Sequence, residues 1–305
     1  MSKKIKNFKA DLQKKIKAKN IKENELLKNH TSFKIGGPCL LLIEPTSKNE
    51  LVYILQLLKK YKLKHYIIGN GTNLLISDKG LKAVVIKLSD NFSYIKRKKQ
   101  VVTASAGASL KKLNDYCIQN ELSGLEFSYG IPGTIGGAVY MNAGAYKGQI
   151  ADVVKSVTFF DGKKIKTLKK DKLKFSYRRS LFQKKHKFVI LSVQLQLNKS
   201  TKAEVEILSN NIINKRKEKH PTGYASAGSV FKRNKSLIAS KAIDASGLKG
   251  YSVGDAQVST KHAGFIINKN NATKADVLKL IKHVQKSVYK KYKVKLKLEI
   301  KLLGD

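Results

Sequence analysis

Tryptophan is absent from this 305-residue chain, only two cysteines and four prolines occur, and 21 acidic residues face 62 basic ones. Each shortage excludes something. Four prolines and 21 glycines without a period rule out a collagenous or proline-rich architecture. Cys39 and Cys117 are too few for a disulfide framework and suit a reducing compartment. No apolar run approaches the roughly twenty residues that a membrane span requires, so no membrane partner is expected. The basic segment 1–19 lacks the continuous apolar stretch of a signal peptide. What is present, 42% hydrophobic residues with 13 tyrosines and 11 phenylalanines, suffices for a packed core of more than one ordinary domain. The expectation is a cytoplasmic globular protein.

The formal charge of +41 raises nucleic acid as a partner. The basic residues, however, are fifty-seven lysines and only five arginines, Arg97, Arg178, Arg179, Arg216 and Arg233. Base readers lean on arginine, whose planar fork pairs bidentately with guanine. The lysines are dispersed among abundant Asn and Ile, which favours drift of solvated positions in a biased composition. Steering of an anionic substrate and a true nucleic-acid role are the two weaker readings, and no specific nucleic-acid partner is expected.

Periodicity organises the chain as α+β. Residues 1–25 read as a lysine-rich amphipathic helix or a frayed arm, with Ile5, Phe8, Leu12 and Ile16 at helical spacing, and are expected to pack one face on the body. Strands are expected at 40–43, 66–68, 83–88, 94–97, 101–106, 153–160, 163–168, 188–197, 264–267 and 294–303. Helices are expected at 48–61, 109–120 capped by Ser109, 201–219, near 236–245, and 273–292, where Thr273 and Asp276 form a capping pair. The grouping is two small sheet-and-helix units followed by a third.

Two glycine segments carry phosphate-cradle chemistry. In the first, a strand enters the turn Gly69-Asn70-Gly71-Thr72-Asn73-Leu74. The second runs Ile131-Pro132-Gly133-Thr134-Ile135-Gly136-Gly137-Ala138 and continues to Asn142-Ala143-Gly144-Ala145-Tyr146. Glycines let backbone N–H groups approach a phosphate closely. Neither segment is a strand–GxGxxG–helix fingerprint, and no GxxxxGK[ST] loop exists. Two such turns about sixty residues apart, each at a strand end, tilt the pair toward a nucleotide-type cofactor. His/Cys clusters with ligand spacing are lacking, so no metal is expected, and no Gly-x-Ser-x-Gly elbow suggests hydrolysis.

With further segments these turns make a recognisable series. Asn29-His30-Thr31-Ser32-Phe33-Lys34-Ile35-Gly36-Gly37 precedes them. After them come Ser176-Tyr177-Arg178-Arg179-Ser180-Leu181-Phe182, Ala227-Gly228-Ser229-Val230-Phe231-Lys232, Val258-Ser259-Thr260-Lys261-His262-Ala263-Gly264-Phe265-Ile266-Ile267-Asn268 and Leu298-Glu299-Ile300. In this order, over about residues 28–304, the chain resembles the UDP-N-acetylenolpyruvoylglucosamine reductases, flavoenzymes of peptidoglycan precursor synthesis.

The resemblance implies an FAD-binding fold of the vanillyl-alcohol-oxidase (PCMH) type, at residues 26–200 with subdomains 26–92 and 93–200. It implies an α+β substrate domain at 201–305, with 1–25 as an N-terminal extension. NADPH would be the reductant, a UDP-sugar the other substrate, and the protein a monomer. Catalytic roles carry over to Arg178, which would grip the substrate carboxylate, to Ser229 as proton donor, and to Glu299 as acid or polariser. Read without the resemblance, Ser229 is a turn serine and Glu299 lies on a lysine-lined strand face. Cofactor contacts carry over to Gly69, Asn70, Gly71, Thr72, Asn73, Leu74, Pro132, Gly133, Thr134, Gly136, Gly137, Ala138, Asn142 and Gly144, and substrate contacts to Tyr146, Tyr177 and His262. Three positions depart from the family pattern. Arg233 stands in a stretch that often reads Lys-Asn-Pro, Ala225 stands in a segment that usually holds a proline, and Lys147 where glycine is common.

Overall fold

A computed structural model describes residues 3–185, 187–234 and 237–304. The chain divides into two compact units. The first comprises Met1–Glu23, Leu41–Asn70 and Ala83–Asn214, and the second Asn24–Leu40, Gly71–Lys82 and Lys215–Asp305.

The first unit opens with the helix Lys3–Gln13, shorter than the 1–25 expected, because Ile21–Glu23 leaves it to pair antiparallel with residues 41–43. Ile5, Phe8 and Leu12 of the helix are buried, and Phe8 meets the Tyr61 ring edge-on at 5.7 Å. Asp11 accepts from Lys14, Tyr61 and Lys60 at 2.7, 2.8 and 3.0 Å, and these bonds hold its carboxyl well below the usual carboxylate range. The helix is thus tied down by burial and by a polar anchor. Its neighbour, Lys48–Lys60, begins where the Ser47 hydroxyl accepts from the Glu50 N–H, and it buries Leu51, Ile54, Leu55, Leu57 and Leu58.

This unit contributes to two larger sheets. One has the order Ile21–Glu23, Cys39–Ile43, Leu81–Lys87, His65–Ile68, the last pair parallel with His65 opposite Val84. The other is antiparallel, in the order Ile165–Lys169, Val154–Phe160, Val189–Gln196, Val101–Ser105, Ile95–Lys98. The Phe159 ring lies 5.5 Å from Phe182 and 4.7 Å from Phe188. Burial pushes the thiols of Cys39 and Cys117 up to about 11 and about 12, so neither is a ready nucleophile at neutral pH.

The second unit is gathered from three stretches of chain. Its antiparallel sheet has the order Ala225–Ser229, Phe265–Asn268, Ala256–Val258, Ser252–Val253. The helices Ala239–Ala245 and Lys274–Tyr292 supply core residues, Ile243 from the first and Val277, Leu280, Ile281, Val284 and Val288 from the second. Phe33, Ile35 and Leu75 enter the same core from far upstream. The short helix expected near 236–245 is present, though Ser236 lies outside the described residues.

The last strand is shorter than expected. Only Lys301–Leu303 is a strand, parallel to Leu74–Ile76, while Leu298 forms a single bridge with Phe231. The run 294–303 meets two partners in succession, residues 230–232 and then 74–76, so no continuous ladder forms. Among the described residues no helix is long and apolar enough to cross a membrane.

Candidate active site

Within the first unit the two glycine segments converge. A Cβ built on Gly69 would lie 2.5 Å from the Thr134 hydroxyl, closer than any real Cβ contact, so the turn and the second segment meet backbone to side chain. Thr134 caps the short helix Ile135–Met141 by accepting from the Gly137 N–H at 3.3 Å. At Gly136 a Cβ would sit 2.8 Å from both Ala106 Cβ and its carbonyl oxygen. Thr134 and Gly136 are buried here, while Gly69, Asn70, Pro132 and Gly137 keep exposed surface. Neither segment contains an acidic residue. A crowded, acid-free surface of this kind fits the diphosphate and ring system of FAD.

Arg178 is fixed by its surroundings in the same unit. Its backbone is left-handed at φ +55°, its Nη2 donates to the Gly144 carbonyl at 2.9 Å, and its guanidinium lies 5.2 Å from the exposed Tyr177 ring. Gln183 donates to the carbonyls of Arg178 at 3.0 Å and of Tyr140 at 2.8 Å, and the Ser180 hydroxyl donates to Tyr140 as well. Asn142 turns inward. It is 1% exposed, donates to Gln149 Oε1 and the Ser176 carbonyl, and accepts from the Ala151 N–H. Its side chain therefore holds the Arg178 segment, where a cofactor contact had been expected. Tyr146 and Lys147 follow with φ +48° and +70°; the left-handed backbone accounts for the preference for glycine at 147.

The second unit brings Asn73, Ser229, Glu299 and His262 together through backbone bonds. Asn73 Nδ2 donates to the Glu299 carbonyl at 3.3 Å, and the Asn73 carbonyl accepts from the Lys301 N–H at 2.9 Å. Glu299 N–H donates to the Val230 carbonyl at 2.8 Å, one residue beyond Ser229. Ser229 itself ends a β-bulge. Ser226 pairs with Ile267 and Ser229 with Phe265, so one strand spends an extra residue, and Gly228 absorbs the bend at φ +76°. No other described residue hydrogen-bonds the Ser229 hydroxyl. Gly71 belongs to this unit, where a Cβ on it would fall 2.1 Å from the His30 carbonyl oxygen.

His262 accepts from the Gly264 N–H at its Nδ1 and packs edge-on against His220 at 5.6 Å, with Phe265 5.0 Å from each ring. Burial, with Arg216, His262 and Lys261 nearby, pushes the His220 imidazole down to about 4, so it is uncharged near neutrality. Sequence reasoning passed over His220 and Val230. The only signal was position, His220 just ahead of Pro221 and Val230 just after Ser229. Among the described residues no group of three His, Cys, Asp or Glu side chains could hold a metal ion.

The profile of the UDP-N-acetylenolpyruvoylglucosamine reductase C-terminal domain matches residues 220–303, and that of an FAD binding domain matches residues 39–164. The UDP-N-acetylenolpyruvoylglucosamine reductase of Caldanaerobacter subterraneus subsp. tengcongensis is 46% identical over 283 residues, covering 92% of this chain and 93% of that protein. The chain belongs to the UDP-N-acetylenolpyruvoylglucosamine reductase family. The crystal structure of the Thermus caldophilus reductase superposes with a TM-score of 0.80 at 33% identity, over 92% of this chain and 98% of that one. A 4-ethylphenol oxidase from Gulosibacter chungangensis shares the fold, with a TM-score of 0.52 at 13% identity, covering 65% and 43% of the two chains. The architecture is therefore the α+β FAD-binding fold of the vanillyl-alcohol-oxidase type followed by the reductase C-terminal domain. As a reductase of this family the protein is an FAD-dependent oxidoreductase. Both glycine segments fall inside the FAD-binding match and Ser229, His262 and Glu299 inside the C-terminal one.

Proposed function

We propose that this protein reduces the enolpyruvyl ether of UDP-N-acetylglucosamine to UDP-N-acetylmuramate at the expense of NADPH, as a soluble cytoplasmic monomer serving peptidoglycan synthesis. Residues 26–200, in subdomains 26–92 and 93–200, hold FAD through Gly69–Leu74, Pro132–Ala138, the backbone of Asn142, and Gly144, and residues 201–305 bind the sugar nucleotide. FAD, when bound and reduced by NADPH, would supply the hydride for the terminal vinyl carbon and return to its oxidised form. The chain's own residues manage the charge and the proton. As hydride arrives, negative charge grows on the neighbouring carbon and its carboxylate. Arg178 offers a fixed guanidinium that grips the carboxylate bidentately and stabilises this charge. Ser229 gives its hydroxyl proton to the carbon; a serine is a weak acid, and an enolate-type carbon is basic enough to take the proton. Glu299 acts as acid or polariser beside it, and Tyr146, Tyr177 and His262 contact substrate.

The observation that carries this reading is the bulge at Gly228. It sets Ser229 opposite Phe265 with its hydroxyl bonded to no other described residue, and the adjacent Val230 peptide ties the same strand to Glu299. The test is an anaerobic flavin absorbance trace of the purified holoenzyme. Bleaching by NADPH and rapid colour return with the enolpyruvyl sugar nucleotide are expected. Bleaching without return would reject the substrate, and a colourless protein that takes up no FAD would reject the cofactor assignment.

A further inference from the structure

The turn 259–265 is closed by its own polar groups. The Ser259 hydroxyl accepts from the N–H groups of Lys261 and His262 at 3.2 and 3.3 Å. The Phe265 N–H donates to the His262 carbonyl at 3.0 Å, and the Ser259 N–H donates to the Phe265 carbonyl at 2.9 Å. Inside the turn, the Gly264 N–H donates to His262 Nδ1 at 3.1 Å. Ring and glycine are matched: a Cβ at 264 would lie 2.8 Å from His262 Cε1 and 3.0 Å from Nδ1. From Gly264 the connection continues outward. Its carbonyl accepts from the Val230 N–H at 2.9 Å, the Val230 carbonyl accepts from the Glu299 N–H at 2.8 Å, and Phe265 stands opposite Ser229.

A backbone N–H can only donate, so Nδ1 must present its lone pair and an uncharged ring must carry its proton on Nε2. Protonation would put hydrogen on Nδ1 as well and set donor against donor at Gly264. We propose that His262 is a positioning residue for Ser229: through the Gly264 N–H and the Val230 peptide its Nε2-protonated ring holds the backbone that lies between Ser229 and Glu299. This rests on the roles given to Ser229 and Glu299 above. It also fixes what His262 can offer a substrate, a donor at Nε2 and never a base at Nδ1.

The groups facing the ring favour the uncharged form. Burial holds the imidazole below its ordinary range against a raising backbone hydrogen bond at His262 itself; Lys249 adds to the lowering, and Asp244, paired with Lys249 at 2.7 Å, opposes it. His220 lies edge-on to the ring, and Arg216 and Lys261 stand near His220. The sign follows. Because folding depresses this group, its proton binds only as pH drops below the ordinary value of 6.5, and the Gly264 bond is lost there.

Two measurements test the proposal. Imidazole nitrogen NMR of the ¹⁵N-labelled holoenzyme at pH 7.5 should show His262 with Nε2 protonated and Nδ1 bare; the opposite tautomer overturns it. Single-turnover reoxidation of the photoreduced holoenzyme by the enolpyruvyl sugar nucleotide should slow in wild type as pH falls from 8 to 5. His262→Asn, whose Oδ1 can take the place of Nδ1 without titrating but which gives up the Nε2 donor to substrate, should flatten that acid limb and lose less rate than His262→Ala. His262→Ala should lose up to about 10²-fold at every pH, the scale of a small misplacement of a reacting group. An unchanged acid limb in His262→Asn would reject the positioning role even if the Ala variant fails to fold. Wild type that is never reoxidised would instead sink the functional reading, while the NMR result still decides the tautomer.

Discussion

Gly69 and Gly71 flank one asparagine, yet each answers to a different part of the molecule. At Gly69 the obstacle is the Thr134 side chain of the first unit, and φ is ordinary. Gly71 faces the His30 carbonyl of the second unit, and its own φ is +63°. The same contrast runs through the two units. The first is built from periodic strands and capped helices that follow local rules, and its loops can be crowded by side chains that yield. In the second, remote segments are joined by backbone hydrogen bonds, which cannot adjust independently. Chemistry that needs a fixed proton donor suits the second kind of construction, while a cofactor surface needs only the first.

The sharpest test of that contrast is chemical. Ser229→Ala removes one hydroxyl from the bulged strand and leaves the first unit untouched. Flavin reoxidation by the sugar nucleotide should slow by about 10²- to 10⁴-fold, the usual worth of general acid catalysis, with reduction by NADPH nearly unchanged. Stopped-flow traces of the two half-reactions decide it; equal loss in both would remove Ser229 from the proton transfer. Arg178→Lys should cost less. Loss of a bidentate charged contact, about 1.5–3 kcal/mol, predicts a fall of about 10- to 10²-fold in the reoxidation step.

Much of the first unit was legible. Ser109, and Thr273 in the second unit, announce their helices because a side-chain oxygen three residues ahead of an N–H has one obvious use. Strands such as Val154–Phe160 follow from β-branched and aromatic residues. The strand Ala225–Ser229 was not legible, since Ala, Ser and Gly carry little strand preference and its order comes from pairing with Phe265–Asn268. Residues 294–300 deceived for a related reason: apolar alternation says that one face is covered, not that one partner covers it all. Arg178, Ser229 and Glu299 stood out only through the resemblance. Nothing local distinguishes Ser229 from a turn serine, because its bulge depends on a register set forty residues downstream.

Stability measurements extend the comparison. Phe8→Ala, at a side chain with no exposed surface against Tyr61, should cost about 3–5 kcal/mol and would show that the opening helix is integral to the first unit. Gly71→Ala combines a backbone clash with a left-handed residue, about 1–3 and 1–2 kcal/mol respectively, whereas Gly69→Ala meets only a threonine side chain and should cost about 1–3 kcal/mol. Urea midpoints of the two variants should therefore rank Gly71→Ala below Gly69→Ala. Equal midpoints would mean that the turn answers to one unit alone.

The smallest effect separates local from long-range order inside the second unit. Thr273 and Asp276 cap Lys274–Tyr292 reciprocally: the Asp276 N–H donates to the threonine hydroxyl at 3.1 Å, and the Thr273 N–H and hydroxyl donate to the carboxylate at 3.0 and 2.7 Å. Those bonds hold the Asp276 carboxyl below its ordinary value of 3.8. A depressed carboxyl stabilises the fold above its ordinary value and loses that contribution as pH falls through the lowered one. Thr273→Ala should cost about 1 kcal/mol at pH 7. It should cost less at pH 3, where wild type has already begun to lose the cap. Urea unfolding at both values reads the difference. A penalty that grows toward acid would assign the helix start to packing by Val277 and Leu280 instead of to its cap.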